Sequence, residues 1–431
     1  MYDVIIIGGG LGYAAAVVLA KAKLKTALVE KDLNNLGGTC LHSGCIPSKN
    51  LLHRAKTLVE LQEGFFEEKA KLNLEKLQNH INETVGFYTQ AIKNQLIRAG
   101  VELIEDEGYV TDDGVYLKNA DKTLKSKYII IADGSYPRIP QGIEYDKKRV
   151  ITSYEALKFT KPPKEISIYG SGAIGLEMAS FFAAIGTKTN LIFRHSGFSK
   201  MSPEFSKNLQ SQLENIGVNL MPNSEISKAK TARSKVKCIL NGKEFETEYL
   251  LVATGRIPKT DTVKTDKIKI QKGIVTDEWF ETTMPGVYAV GDCNGKLMLA
   301  HAARAEALNV ANQILGKKEK LNLSNIPKFI YTLPLSYASI GETSQNFSVF
   351  ELKNLGIARS LYLDTLGLVK LYADSENFIK GAEILSPNAE ELIGILSSAL
   401  ANETDVETFK KAVFPHPTYS EGIERALRRF R

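Results

Sequence analysis

Twice in this chain an apolar strand runs into a cluster of glycines, then a helix, then a second apolar strand. That repeat restricts the fold more than any other feature. Residues 4–7 lead into Gly8, Gly9, Gly10 and Gly12, followed by an alanine-rich helix to about Ala22 and a strand over 26–29 that ends at Glu30. Residues 166–169 lead into Gly170, Gly172 and Gly175, a helix to about Ala184 and a strand over 189–193. Each copy is a parallel βαβ unit whose glycine turn sets a helix N-terminus at the carboxyl end of a sheet. A second pair of segments matches as well: 128–137, with Gly134 and Pro137, corresponds to 249–258, with Gly255 and Pro258. Two nucleotide-binding modules in one chain is a stronger inference than one glycine motif. Residues 286–292 read as a further buried strand ending at Asp292, so the second module is nested within the first.

At 431 residues the chain has room for two to four domains at roughly 100–200 residues each. A hydrophobic fraction of 43% and a charged fraction of 24% exclude disordered and fibrous classes. The net charge of +6 is spread without a dense basic run, so no nucleic acid partner is expected. The stretch 4–20 is uncharged but broken by glycines, a poor membrane span. With no basic leader after Met1-Tyr2-Asp3, the cytoplasm is the expected location and no membrane partner is expected. Between the modules, Leu74, Leu77, Ile81, Val85, Tyr88, Ile92 and Leu96 recur at helical spacing and predict a core-packing amphipathic helix. From about Asn325 the pattern changes to paired strands near 368–372 and 378–385 with helices near 389–401 and 405–412, a separate α+β domain.

The two glycine loops end differently. Glu30 stands 22 positions after Gly8, where an acid can accept hydrogen bonds from ribose hydroxyls. In the second module Phe193 takes that place, and Arg194, His195 and Lys200 follow. Missing acid and added base together favour a 2′-phosphate, hence NADP(H) over NAD(H).

The chain's four cysteines are Cys40, Cys45, Cys238 and Cys293, too few for a disulfide-stapled scaffold. Cys238 and Cys293 read as packed thiols. Cys40 and Cys45 lie in the segment Gly37-Gly38-Thr39-Cys40-Leu41-His42-Ser43-Gly44-Cys45-Ile46-Pro47-Ser48-Lys49, at the start of a helix. Five apart on a slightly distorted helix, they can come within bonding range as a redox pair. The competing reading is a zinc site at Cys40, His42 and Cys45, which lacks a fourth ligand nearby; no metal is expected. His42, His53, His80 and His301 read as structural or surface residues.

This segment resembles the redox-active disulfide motif of the pyridine nucleotide-disulfide oxidoreductases, the flavoenzyme family of dihydrolipoamide dehydrogenase and glutathione reductase. The likeness runs from Asp3-Val4-Ile5 to the tail Phe414-Pro415-His416-Pro417-Thr418-Tyr419-Ser420-Glu421. It implies an α/β fold of two nested Rossmann-like domains, for FAD and NAD(P), with a C-terminal α+β dimerisation domain. The boundaries expected are 1–145 for the first part of the FAD domain, 146–262 for the NAD(P) domain, 263–324 for the rest of the FAD domain and 325–431 for the dimerisation domain. By the same resemblance Cys45 is the thiolate against the flavin and Cys40 the sulfur that exchanges with substrate. His416 is the acid/base across a homodimer interface, oriented by Glu421. The FAD contacts implied are Gly8, Gly10, Gly12, Glu30, Gly38, Thr39, Lys49, Gly134, Asp292, Leu299 and Ala300. Those for the nicotinamide nucleotide are Gly170, Gly172, Gly175, Glu177, Arg194, His195, Lys200 and Gly255. Lys49 and Glu177 match the family pair beside the flavin's redox-active nitrogen, and a helix beginning within 297–301 is expected to meet its pyrimidine end.

The chain departs from the family pattern in four places: a first glycine loop one residue short, His42-Ser43 between the cysteines, Asp133 in place of Thr, and Ala173 where some members carry an aromatic lid. Cys45-Ile46-Pro47-Ser48-Lys49, 298–301 and 329–332 resemble dihydrolipoamide dehydrogenase, whereas Arg194-His195 resembles glutathione reductase. The reading is a dihydrolipoamide-dehydrogenase-like enzyme acting on a small dithiol or disulfide, including lipoyl groups on a carrier protein. The alternatives are an NADPH-dependent glutathione-reductase-like enzyme or other low-molecular-weight disulfide reductase, a diaphorase that needs no Cys40, and a flavin-binding protein without disulfide turnover.

Overall fold

Both glycine turns grow from strands that are buried on both faces, as in a parallel sheet covered on two sides. The structure is a computed structural model that describes residues 1–61, 67, 70–360 and 366–430. It divides into two compact units. One is built from Met1–Ser48, Lys76–Arg138 and Gly255–Leu323, the other from Lys49–Glu75, Ile139–Thr254 and Ser324–Arg431.

In the first unit a five-stranded parallel sheet runs in the order Val287–Ala289, Ser126–Ile131, Tyr2–Ile7, Thr26–Glu30, Glu102–Glu105. Alternate side chains point to opposite faces. Val4, Ile6, Leu28 and Ile130 pack with the helices Tyr13–Lys21 and Ala300–Ile314, while Ile5, Ile7, Val29 and Ile131 face the three-stranded meander of Gly108–Thr111, Gly114–Leu117 and Lys122–Leu124.

The second unit holds the other parallel sheet, in the order Val218–Met221, Lys188–Ile192, Glu165–Tyr169, Tyr249–Val252, Val150–Ile151, with its own meander of Ile226–Ala232, Lys235–Leu240 and Lys243–Thr247. Four central strands and a meander recur in the same order. Only the outermost strand differs, supplied from after the repeat in one module and from before it in the other. The same unit contains a five-stranded antiparallel sheet: Lys328–Ile330, Ser336–Gly341, Ile379–Ser386, Leu368–Ala373, Asn346–Glu351. The helices Ala389–Ala401 and Glu421–Leu427 close its core. The helix expected over 405–412 is only Val406–Phe409, capped by Asp405 on the Thr408 N–H.

The long helix is Leu74–Ala99, but its apolar stripe is not uniformly core. Leu74, Leu77, Ile81 and Leu96 are buried, Val85 and Ile92 half-buried, and Tyr88 is exposed, edge-on to the exposed Phe87. Of the stripe, Leu96 and Ile92 join the core of the first parallel sheet, while Tyr88 lies outside it although buried residues stand on either side along the helix.

The duplication extends to single hydrogen bonds. Gly8 N–H donates to Val29 O and Ala132 N–H to Ile7 O; Gly170 N–H donates to Ile192 O and Ala253 N–H to Tyr169 O. Gly8 and Gly170 sit at φ +102° and +119°, and a Cβ on either would lie 2.5 or 2.4 Å from the Ala132 or Ala253 carbonyl oxygen. Gly170→Ala should therefore destabilise the second unit by about 2–4 kcal/mol. Gly394→Ala, at an exposed helical site with open space, should stabilise by about 0.5–1 kcal/mol. Urea unfolding midpoints separate the two, and a neutral Gly170→Ala would contradict the packing described.

Candidate active site

At the carboxyl end of each parallel sheet several glycines face open space among the described residues. A Cβ at Gly10 would have only Ala132 O within 4 Å, at 3.9 Å, and one at Gly172, Gly134 or Gly255 would meet nothing. The third glycine of each loop instead packs tightly: a Cβ would lie 2.4 Å from Ala132 Cβ at Gly12 and 1.8 Å from Gly170 O at Gly175. The first loop, one residue short, thus still closes its helix onto the sheet. Open backbone beside the helices that begin at Tyr13 and Ala173 fits a dinucleotide pyrophosphate.

The register aligns Glu30 with Phe193, since Val29 and Ile192 receive the equivalent glycine N–H. Glu30 folds back on its own loop: Oε2 accepts the Gly9 N–H at 2.5 Å and Oε1 the Asp32 N–H at 3.3 Å. Phe193 is buried against Phe198, with ring centroids 5.3 Å apart. The next side chain, Arg194, is 55% exposed, with Glu225 at 3.5 Å. The second loop has no carboxylate at this place.

The cysteine segment is stapled to the first glycine loop. Gly37 N–H donates to Gly9 O at 2.8 Å, and a Cβ on Gly38 would lie 2.8 Å from Gly10 Cα. Thr39 and Cys40 follow in the short helix Gly38–Ser43. The chain then breaks at Gly44, and Cys45 opens a new 17-residue helix, Cys45–Leu61. The cysteines are therefore not on one distorted helix, as their spacing predicts, but on either side of a glycine turn. A Cβ at 44 would come 2.8 Å from Thr39 O and 3.3 Å from Cys40 Cα, so the turn is as tight as glycine allows. Both cysteines are half-buried, and Cys45 stands at the helix end that favours negative charge. His42 is engaged elsewhere: Nε2 lies 3.0 Å from Leu36 O and 3.3 Å from Thr89 Oγ1. No group of three or more His, Cys, Asp or Glu among the described residues is arranged to hold a metal.

One turn beyond Cys45, Lys49 Nζ lies 2.7 Å from each carboxylate oxygen of Glu177. Glu177 is buried and also accepts the Tyr331 N–H at 3.0 Å. Asp292, in the turn Gly291–Asn294, accepts the Ser135 hydroxyl, and Ser135 Oγ in turn accepts from Arg256 Nε at 2.7 Å. The helix Ala300–Ile314 starts at Ala300 with Leu299 as its cap residue. Several supports of the site have partners that the sequence reading does not assign. Arg256 and Ser135 belong to the strands Arg256–Pro258 and Ser135–Pro137, which pair antiparallel; the repeated glycine-to-proline ending was their signal. Glu306 is fully buried between Ala302 and Val310 on one helix face and accepts the Gly291 N–H and Asn294 Nδ2, both at 2.7 Å. Burial pushes its carboxyl up. Asp133 pairs with Lys259 at 3.0 Å, and its buried Oδ2 has no hydrogen-bond partner beside the open Gly134 backbone.

In the tail, His416 Nδ1 lies 3.1 Å from Glu421 Oε2, and Glu421 Oε1 accepts the Thr418 N–H at 2.9 Å. Glu421 is buried while the His416 side chain is 78% exposed, so the imidazole is held at the surface from below. Burial opposes ionisation of Glu421, but the Thr418 N–H and His416 outweigh it and hold the carboxyl below the usual range.

Residues 2–307 match the model of the pyridine nucleotide-disulphide oxidoreductase family, and residues 326–427 match that family's dimerisation domain. The chain is 32% identical to dihydrolipoyl dehydrogenase 2, mitochondrial, of Arabidopsis thaliana, covering 98% of this chain and 89% of that protein. It is 31% identical to dihydrolipoyl dehydrogenase 3 of Pseudomonas putida, covering 99% of this chain and 97% of that one. Its fold matches LpdA of Mycobacterium tuberculosis at a TM-score of 0.90 and 21% identity, over 100% of this chain and 99% of that one. It also matches the HOCl-induced flavoprotein disulfide reductase RclA of Escherichia coli at a TM-score of 0.88 and 23% identity, over 100% of both chains. With both family models matched in order along its length, the chain belongs to the pyridine nucleotide-disulphide oxidoreductase family.

Proposed function

We propose that this family member is a dihydrolipoamide-dehydrogenase-like flavoprotein that moves electrons between a nicotinamide dinucleotide and a small dithiol or disulfide through Cys40 and Cys45. The observation that carries the reading is the staple between the cysteine helix and the first glycine loop, which sets the sulfur-bearing segment beside the cradle. Gly8, Gly10, Gly12, Glu30, Gly38, Thr39, Gly134, Asp292, Leu299 and Ala300 would hold FAD. Bound there, FAD supplies a group that takes up a hydride and releases an electron pair to sulfur.

The chain's own residues carry the thiol chemistry. In the disulfide-reducing direction the Cys40 thiolate attacks a substrate sulfur, the substrate S–S bond breaks, and one thiol departs with a proton. The Cys45 thiolate then attacks the Cys40 sulfur and releases the second thiol, so two electrons pass from the Cys40–Cys45 pair to substrate as their own disulfide forms. His416, acting across the homodimer and oriented by Glu421, holds and returns the proton at Cys40. Lys49, fixed by Glu177, places a positive charge one helical turn from Cys45. At the second loop, Gly170, Gly172, Gly175 and Gly255 take the nucleotide's pyrophosphate, and Arg194, His195 and Lys200, with no carboxylate at 193, favour NADPH. Lipoyl groups, free or on a carrier protein, are the expected substrates, and the cytoplasm, where thiols stay reduced, the expected compartment.

Lipoamide and oxidised glutathione, each assayed with NADH and NADPH, test the reading; lipoamide should be preferred, and Cys40→Ser should abolish turnover of either disulfide. Disulfide turnover surviving that substitution would remove Cys40 from the mechanism, and activity confined to quinone or oxygen in the parent and the variant alike would reduce the protein to a diaphorase. His416→Gln should lower disulfide turnover by about a hundredfold or more, and a normal rate would remove His416 from the mechanism.

Replacing Arg194 and His195 with neutral residues should raise the KM for NADPH more than that for NADH; an unchanged ratio would overturn the phosphate assignment. The tail carries a pH signature as well. A carboxyl lowered in the folded chain contributes fully above its unfolded pKa and loses that contribution as pH falls through the folded value. The Thr418 amide, followed by NMR, should therefore keep its ordered shift down to about pH 5 and lose it only in more acidic solution. Loss between about pH 6 and 5 would contradict the Glu421 anchor.

A further inference from the structure

One carboxylate in the C-terminal sheet is saturated by four donors, and two of them come from the nucleotide-binding module. Glu383 lies in the strand Ile379–Ser386 and is buried. Its Oε1 accepts the Ser202 N–H and the Tyr337 hydroxyl, each at 2.8 Å. Its Oε2 accepts the Tyr372 hydroxyl at 2.7 Å and the Ser202 hydroxyl. Burial, with Glu383 beside them, pushes both phenols far above the ordinary tyrosine range, so both remain donors at working pH.

Ser202 is the cap residue of the helix Pro203–Asn215, yet its hydroxyl makes no capping bond to that helix, because Glu383 takes it. The helix is docked a second time, by Glu204 to Lys370 at 2.6 Å, and Lys370 is the cross-strand neighbour of Glu383. Tyr337 Oη also approaches Lys200 O at 3.4 Å. These bonds grip the end of the turn that carries Arg194, His195 and Lys200, whose other restraints include the Arg194–Glu225 ion pair, the Phe193–Phe198 ring contact, the Asn223 N–H on His195 O, and the Phe198 N–H on Ser206 Oγ. Lys200 itself holds a left-handed φ of +71°. Apolar packing alone would attach helix to sheet without fixing this turn; four directional bonds on one carboxylate set its position.

We propose that Glu383 is a positioning residue for nicotinamide nucleotide binding, holding residues 194–202 in the conformation that presents their cations to the nucleotide. The inference rests on the reading of that turn as the 2′-phosphate contact. Without the carboxylate, the Ser202 hydroxyl returns to its own helix and the turn relaxes, while the sulfur chemistry at Cys40 and Cys45 is untouched.

The test is the steady-state kinetics of Glu383→Gln in the flavin-loaded dimer. The KM for NADPH should rise about tenfold, with kcat at saturating nucleotide within about twofold of the parent and an unaltered flavin spectrum. Ser202→Ala, which leaves Glu383 with its two tyrosines, should shift KM the same way by a smaller factor, and it carries the test if the glutamine variant does not fold. An unchanged KM, or a fall in kcat with KM constant, would overturn the proposal. A rise in KM for NADH and NADPH alike, alongside an Arg194/His195 variant with no change in nucleotide preference, would uphold Glu383 as the positioning residue and refute the phosphate reading.

Discussion

The contact between two stretches of bare backbone, Gly37–Gly38 against Gly9–Gly10, is the constraint on which the site depends. Gly37 N–H reaches Gly9 O, and Gly38 packs so closely on Gly10 that a Cβ on Gly38 would lie 2.8 Å from the Gly10 Cα. Because the glycine loop is fixed in turn by the carboxyl end of the parallel sheet, the cysteine helix inherits the rigidity of the core. Cys40 and Cys45 are then separated only by the turn at Gly44, which admits no Cβ without meeting Thr39 O. The sulfur exchange proposed for this pair needs such support, since it requires the two atoms to meet repeatedly without a search.

Duplication supplied the scaffold twice, and divergence at one register position separates the two sites. Val29 and Ile192 receive the same glycine N–H, but the residue after Val29 is a carboxylate folded onto its loop and the residue after Ile192 is a phenylalanine turned into the core. The first loop therefore carries a carboxylate at a place where the second has none, the difference on which the proposed nucleotide preference rests.

A common device organises the irregular segments of both units. Glutamates accept backbone N–H groups in these segments: Glu30 from Gly9, Glu177 from Tyr331, Glu306 from Gly291, Glu383 from Ser202 and Glu421 from Thr418. Loops at the ends of strands have backbone donors without ladder partners, and a carboxylate satisfies several at once with fixed direction. Glu306 has no role legible from its neighbours in sequence, yet it orders the turn that carries Asp292. Glu383 does the same for the turn that carries Lys200.

The sequence alone determined the α/β class, the repeated βαβ plan, the cysteine segment and the tail. These are signals of local periodicity and spacing, and a strand-to-glycine-to-helix run has few other ways to satisfy its backbone. Only the tertiary structure decided where the long helix is core, because Tyr88 shares the stripe of Leu77 and Leu96 yet is exposed between them. It also placed the cysteines on two helices instead of one, since the break at Gly44 depends on its close approach to Thr39 and Cys40. The pairings Lys49–Glu177, Ser135–Asp292 and Ser202–Glu383 join residues 128, 157 and 181 positions apart. No local pattern encodes such partners. They follow from which strand ends the fold sets side by side, and burial then makes each charge seek whatever donor the neighbouring segment offers.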